Sequence, residues 1–361
     1  MKKSQLLVSL VLVAAIMLPV ACAPAAAPTP QVITKVETKI VEVTPVRAIT
    51  VGYLAPELNA FHANCMNSTM KYAEEKGWAT IPLNADGDAE KQASQVEYLI
   101  SLWVKAIIAT PVDSMAFCAS VKKAEDAGIP VYCIDRSTIG CKVHMTVQAD
   151  NYLGGQQSAE AIVKFLTEKY GEPKGLVLEL QGDMGQNVAQ LRSGGFNDTM
   201  KKYPNIKVIS KPTEWLADKF LKATLDVVSA QPVDAIFTHS DVVGTTPILS
   251  ALEQLGKKIP LGQEGHIFLA SIDGSPTGLD AIRKGFQDQA SSQPNPDFGL
   301  LVNYIAIELG GGKIEEGPVV KEGALWSPAK IFMSDSGLML NLATTNVTPD
   351  NVDDKRLWGN F

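Results

Sequence analysis

Ala106-Ile107-Ile108-Ala109, then Thr110-Pro111-Val112-Asp113-Ser114 opening an amphipathic stretch that stops at Gly128, then Ile129-Pro130-Val131-Tyr132-Cys133-Ile134, and at once Asp135-Arg136. Residues 106–136 read as strand, loop, helix, strand. Short runs that are apolar at every position fit strands buried on both faces. A glycine is the usual residue just past a helix end. Two such strands joined by a helix make a parallel crossover. The charged pair at 135–136 then sits at the carboxyl end of a strand, where ligands bind in open α/β sheets.

The same grammar extends both ways. Strands are predicted at Ile49–Leu54, Thr80–Leu83 and Val143–Val147, with helices through 64–75, ending at Gly77, and over Ala89–Leu102. A second series then begins. Strands are predicted at Gly175–Leu180, Ile206–Ile209, Val233–Thr238, Phe268–Ile272 and Gln287–Ser292. Helices are predicted at Val188–Lys202, Ala217–Ala230, Val243–Leu255 and Gly278–Lys284. Two β/α series of similar length predict an α/β protein of two doubly wound, parallel-sheet lobes with a cleft between them.

The chain begins differently. Lys2 and Lys3 precede an apolar run from Leu6 to Val20, and Leu18-Pro19-Val20-Ala21-Cys22 follows the pattern of a secretory cleavage site. At roughly 15 residues the run is short of the ~20 that span a bilayer. The expected processing is a signal peptide over 1–21. Cys22 resembles the lipidated first residue of bacterial lipoproteins, although Pro19 stands where such leaders usually carry Leu. Residues 22–47 read as a tether. The protein is therefore expected outside the cytoplasm, in the periplasm or on the outer face of the membrane, anchored through Cys22.

Composition narrows the chemistry. A chain of 361 residues with 46% hydrophobic and 20% charged residues is globular in character, and its formal charge of −7 without a basic stripe argues against nucleic acid as a partner. Cys65, Cys118, Cys133 and Cys141 remain after Cys22. That even number permits two disulfides with three connectivities, and at least one bridge is expected. No CxxC, HExxH, GxGxxG, Walker or GxSxG pattern occurs, so neither metal nor cofactor is expected. Asn84-Ala85-Asp86-Gly87-Asp88 imitates a calcium loop for five residues but lacks its closing Glu, and reads as a loop with solvated acids.

Polar and aromatic residues gather just after strands. Asn59 and Phe61 follow the first, and Asp135 and Arg136 the fourth. Arg192, Trp215, Ser240, Asp273 and Gln293 occupy equivalent places in the second series. His62 by itself reads as a solvated helix residue. Carboxylates, guanidinium groups and amides suit vicinal hydroxyls, and flat rings suit the C–H face of a sugar. Asp135 and Asp273 could form a glycosidase pair. Arg136 and Arg192 are expected to hold both ionised, which would leave no general acid.

At this point the residues resemble a family, the type I periplasmic sugar-binding proteins of the ribose/galactose-binding group. The resemblance runs from Ala48 to about Leu342. Asn59-Ala60-Phe61-His62 is similar to that group's Asn-Pro-Phe-Phe, Ile134-Asp135-Arg136 to Leu-Asp-Arg, and Ile272-Asp273-Gly274 to Phe-Asp-Gly. Ala149-Asp150-Asn151-Tyr152-Leu153-Gly154-Gly155 resembles its first interlobe crossing, and Arg192-Ser193-Gly194-Gly195-Phe196 the helix whose Arg binds hydroxyls. The resemblance implies a three-segment hinge, a first lobe of 48–149 with 294–327, and a second of 150–293 with 328–345. Residues 346–361 form a tail beyond the pattern.

It also implies a ligand site. Asn59, Phe61, His62, Asp135 and Arg136 would come from one lobe and Arg192, Trp215, Ser240 and Asp273 from the other, with Gln293 at a crossing. The implied role is that of a monomeric, non-enzymatic solute-binding component of an ABC importer. It would deliver a monosaccharide or polyol to a permease with a cytoplasmic ATPase. A sensory receptor presenting a sugar or autoinducer-like ligand to a membrane kinase or chemoreceptor is the alternative. His62, Trp215, Ser240 and Ile272 depart from the ribose binders' residues, leaving pentoses, hexoses and inositols all open.

Overall fold

The protein is described by a computed structural model over residues 49–361; the predicted leader, Cys22 and the tether lie outside the described residues. The first series runs β1 (Thr50–Ala55), α1 (Ala60–Glu75), β2 (Ala79–Asn84), α2 (Ala89–Ser101), β3 (Ala106–Ala109), α3 (Cys118–Asp126), β4 (Val131–Ile134) and β5 (Val143–Ala149). β3 and β4 are buried at every position and pair in parallel, so 106–136 folds as its pattern predicts. Asp88 caps α2 by accepting from the Glu90 and Lys91 amides, which explains one acid of the calcium-like loop.

The second series runs α4 (Asn151–Tyr170), β6 (Gly175–Gln181), α5 (Asn187–Met200), β7 (Ile206–Pro212), α6 (Ala217–Ala230), β8 (Ala235–Thr238), α7 (Asp241–Gln254), β9 (Phe268–Asp273), α8 (Pro276–Arg283) and β10 (Gln289–Ser292). The chain returns through a 3-10 turn at Asn295–Leu300, then α9 (Leu301–Leu309), β11 (Gly317–Val319), β12 (Ala329–Ser334), β13 (Gly337–Leu342) and β14 (Thr345–Val347). One sheet has the order β11-β12-β13-β5-β4-β3-β1-β2 and the other β14-β10-β9-β8-β6-β7. The chain therefore passes between the sheets near 149–151, 292–295 and 342–345.

The sequence expectation that 328–345 joins the second lobe needs correction. β13 pairs in parallel with β5, and β12 adds to β13 antiparallel, so 329–342 belongs to the first sheet. Leu340 and Leu342 decide this, because both are fully buried in the core shared with Val147 and Ala149. Only β14 reaches the second sheet, antiparallel to β10.

Apolar cores cover both faces of each sheet. Close backbone approach ties α4 to α5: a Cβ at Gly155 would stand 2.2 Å from the Arg192 carbonyl oxygen, and one at Gly195 2.0 Å from that of Tyr152. Among the described residues one disulfide forms, Cys118 to Cys141, while Cys65 and Cys133 are free and buried. It joins the start of α3 to the loop that follows Asp135-Arg136.

Candidate functional site

Strand ends from both sheets face one cleft. On the first wall, Asn59 caps α1 by accepting from the His62 amide, which directs Phe61 and His62 inward. His62 is only 3% exposed, correcting the expectation of a solvated residue. Its Nε2 stands 3.5 Å from Asp135 Oδ2 and its Nδ1 3.7 Å from Glu57 Oε1. Arg136 lies beside Asp135, with Nε 3.7 Å from Oδ2, and Nη1 donates to the Pro111 carbonyl at 3.3 Å. Burial acts to raise the Asp135 carboxyl, but the His62 ring, Arg136 and Arg192 outweigh it and hold it below its ordinary value.

On the second wall, Arg192 projects from α5. Its Nε donates to Asn151 Oδ1 at 2.8 Å and its Nη1 to the His239 carbonyl, and Nη1 stands 3.4 Å from Asp273 Oδ1. Asp273 also accepts from Ser240 Oγ and Gln293 Nε2. Trp215 lies over Gly182, where a Cβ would fall 1.9 Å from the ring, so only glycine admits the indole. The Arg192 guanidinium carbon stands 5.5 Å from the Trp215 ring centroid, a cation–π contact.

Burial lowers Arg192 against the pull of Asp273 and Asp135. Burial also raises Asp273 despite Arg192, Ser240 and Gln293. The expectation that both carboxylates would be held low is thus met by Asp135 and not by Asp273.

Nine of the ten sequence-predicted residues line this cleft, which holds about 360 Å³ of atom-free space including the solvent at its mouth. Gln293 instead stands behind Asp273 and borders a neighbouring cavity with Trp326 and Trp358. Asp135, Trp215 and Asp273 all have positive φ, at 66°, 60° and 108°. Three strained non-glycine residues at one cleft are a mark of a functional site. Four atoms of the first wall are buried without a hydrogen-bond partner: both ring nitrogens of His62, Asp135 Oδ1 and Arg136 Nε.

The structure adds residues that the sequence reading missed. Gln186 and Asn187 close the rim. Gln186 Nε2 donates to the Val112 carbonyl at 2.9 Å, and the Asn187 amide to Ser114 Oγ at 3.2 Å. Asn187 Oδ1 accepts from the Ser137 amide at 3.0 Å, and Asn187 Nδ2 donates to Gln148 Oε1 at 3.1 Å. Gln186 Oε1 also accepts from Trp215 Nε1 at 2.7 Å. Behind Arg192 lies a fully buried pair, His239 and Glu179. The Gly182 amide donates to His239 Nδ1, so Nε2 carries the proton toward Glu179 Oε1, 3.1 Å away. Burial depresses His239 despite the pull of Glu179. Among the described residues no group of three or more His, Cys, Asp or Glu is placed to hold a metal ion.

Comparison with known proteins agrees with this geometry. A periplasmic binding protein domain matches residues 52–314. The ribose import binding protein of Bacillus subtilis is 29% identical over 271 residues, covering 74% of this chain and 83% of that protein. A xylitol-binding protein of Mycolicibacterium smegmatis is 27% identical over 238 residues, covering 65% of this chain and 64% of that protein. Among solved structures, a galactofuranose binding protein superposes with a TM-score of 0.72 at 24% identity, over 85% of this chain and 97% of that one. A Bacillus halodurans ABC transporter solute binding protein with bound myo-inositol gives 0.71 at 21% identity, over 85% and 96%. These two likenesses establish the two-lobed type I fold.

Proposed function

Since the chain belongs to the periplasmic binding protein family, we propose that it is the solute-binding component of an ABC sugar importer, capturing one monosaccharide or polyol by closure of its two lobes. The observation that carries this reading is the set of orphaned polar atoms on His62, Asp135 and Arg136. A buried polar atom without a partner costs about 1–3 kcal/mol, and a ring of vicinal hydroxyls supplies donors and acceptors to all of them at once. Asn59, Phe61, His62, Asp135, Arg136, Arg192, Trp215, Ser240 and Asp273 contact the ligand, with Phe61 and Trp215 offering ring faces to its C–H surface. Gln293 acts through Asp273.

The site binds without turnover. Asp135 is held low, and both oxygens of the raised Asp273 are already engaged by Ser240 and Gln293, so neither carboxyl is placed as a free general acid. Ligand holds the closed form, which a membrane permease with its ATPase then recognises. The working protein is a monomer, exported by its leader and anchored through a lipid on Cys22. Labelling with a fatty acid that is lost in Cys22→Ala tests the anchor.

Isothermal titration against D-ribose, xylitol, myo-inositol, D-allose and related pentoses and hexoses tests the function. One ligand of the set is expected to bind far more tightly than the others. Absence of binding to all of them would refute the importer reading.

A further inference from the structure

We propose that the C-terminal tail is part of the binding machinery: Trp358 is a positioning residue that fixes both Phe61 and the strained Asp273 from behind the cleft. This rests on the sugar- or polyol-binding reading above and adds to it a segment, 346–361, that the sequence leaves outside the fold.

The tail is built onto α8. Arg283 Nε donates to Asp353 Oδ1 at 2.8 Å, and Arg283 Nη2 donates to the Val352 carbonyl and to Asn360 Oδ1. Asn360 Nδ2 turns back to the Val352 and Asp354 carbonyls at 2.8 and 2.9 Å. Val352 and Leu357 are buried against Leu279 and Ile282. Gly359 runs so close to the end of β9 that a Cβ there would meet the Gly274 carbonyl oxygen at 2.5 Å.

This anchoring delivers one side chain to the site. Trp358 is 3% exposed, and its Nε1 donates to the Asp273 carbonyl at 2.7 Å, a buried bond. Its ring meets Phe61 edge-on, with centroids 5.9 Å apart and planes at 81°. The same ring belongs to the apolar cluster of the first sheet with Phe298 and Trp326. Trp358 therefore holds the backbone of an acid on one wall and the ring of an aromatic on the other. Asp273 adopts φ 108°, which an L-residue keeps only when its surroundings over-determine it. The Trp358 bond to its carbonyl is one such constraint, and Ser240 and Gln293 hold the carboxylate from the other end.

The test uses the full mature chain and whichever member of the sugar and polyol panel binds the wild type most tightly. No binding by the wild type counts against the importer reading itself and is seen before any variant is made. Trp358→Phe keeps the ring but removes the donor; its affinity is expected to fall about five- to tenfold with cooperative melting retained. In a Ser240→Ala background the same change is expected to cost less than about twofold, because both residues act on Asp273. Wild-type affinity in Trp358→Phe, or an equal loss in both backgrounds, would overturn the proposal. Should Trp358→Phe fail to fold, Arg283→Ala loosens the tail without touching the site. It is expected to weaken binding about two- to fivefold, and unchanged affinity there would overturn the proposal as well.

Discussion

The two walls of the cleft carry similar residues, an acid and an arginine each, yet they are held in different ways. On the second wall Arg192 donates to Asn151 and to the His239 carbonyl, and Asp273 accepts from Ser240 and Gln293. On the first, Arg136 makes one long hydrogen bond, and His62, Asp135 and Arg136 together leave four buried atoms unpaired. The second wall takes its order from the protein and acts as a preformed template. The first is covalently tethered: the Cys118–Cys141 disulfide closes the loop behind Asp135-Arg136. Unpaired buried atoms raise the energy of the empty arrangement, and on the proposed reading a ligand that satisfies them would make closure favourable. On the proposed sugar-binding reading, the driving force for capture would therefore lie mainly on the first wall.

The largest expected effect is on the second wall. Arg192→Ala leaves Asp273 as an uncompensated buried charge and strands the Asn151 amide oxygen. Urea denaturation should show a loss of about 3–5 kcal/mol, with binding abolished. Wild-type stability in this variant would break the contrast between the walls. Arg136→Ala should do the reverse, weakening binding by roughly 2–5 kcal/mol while stability changes by about 1 kcal/mol or less. A stability loss as large as that of Arg192→Ala would show that the first wall is also internally held.

Removing the tether comes next. The disulfide closes a separation of 23 residues, for which chain entropy gives about 3 kcal/mol. Cys118→Ser with Cys141→Ser should lose about that much in denaturant titrations. Affinity should fall by less, because the Ile139 amide still donates to the Ser114 carbonyl at 2.8 Å and Thr138 Oγ1 to that of Cys141 at 2.8 Å. A greater loss in affinity than in stability would make the disulfide a binding element first.

What the sequence disclosed divides along the same line. Periodicity exposed the two series, and strand ends located Asp135-Arg136 and Asp273, because a buried parallel strand has an unmistakable apolar run and an abrupt polar end. Residues that act through the backbone or across the cleft left no such trace. Gln186 and Asn187 are ordinary loop-to-helix residues until the fold brings Ser114 and Ser137 against Asn187. Trp358 stands far from Phe61 and Asp273 in sequence and meets them only in the fold. β12 and β13 misled for a related reason. Their affiliation rests on which sheet edge is free to accept Leu340 and Leu342, and that is a tertiary fact. His62 misled because its environment, between Asp135 and Glu57, is built by residues distant from α1 or outside its apolar pattern.

The smallest effect tests a cost of the second wall. Behind Asp273 lies a second buried acid, Asp241, which accepts from Ser271 Oγ at 3.1 Å and from the Gly274 and Ser275 amides at 2.9 and 3.0 Å. Burial and the neighbouring Asp273 charge push it from an ordinary 3.8 up to about 7, despite those bonds. Between about pH 4 and 7 the folded protein therefore binds a proton that the unfolded chain has released. Stability must fall as pH rises through that window, by at most about 1.4 kcal/mol per pH unit. His239 works in the opposite sense: its depressed value means stability is lost as pH falls below 6.5. The informative quantity is accordingly the difference between wild type and Asp241→Asn. Urea midpoints measured from pH 4.5 to 7 should fall more steeply with rising pH, or rise less, in the wild type than in the variant. Parallel curves would mean that Asp241 stays ionised throughout and that its hydrogen bonds outweigh its burial.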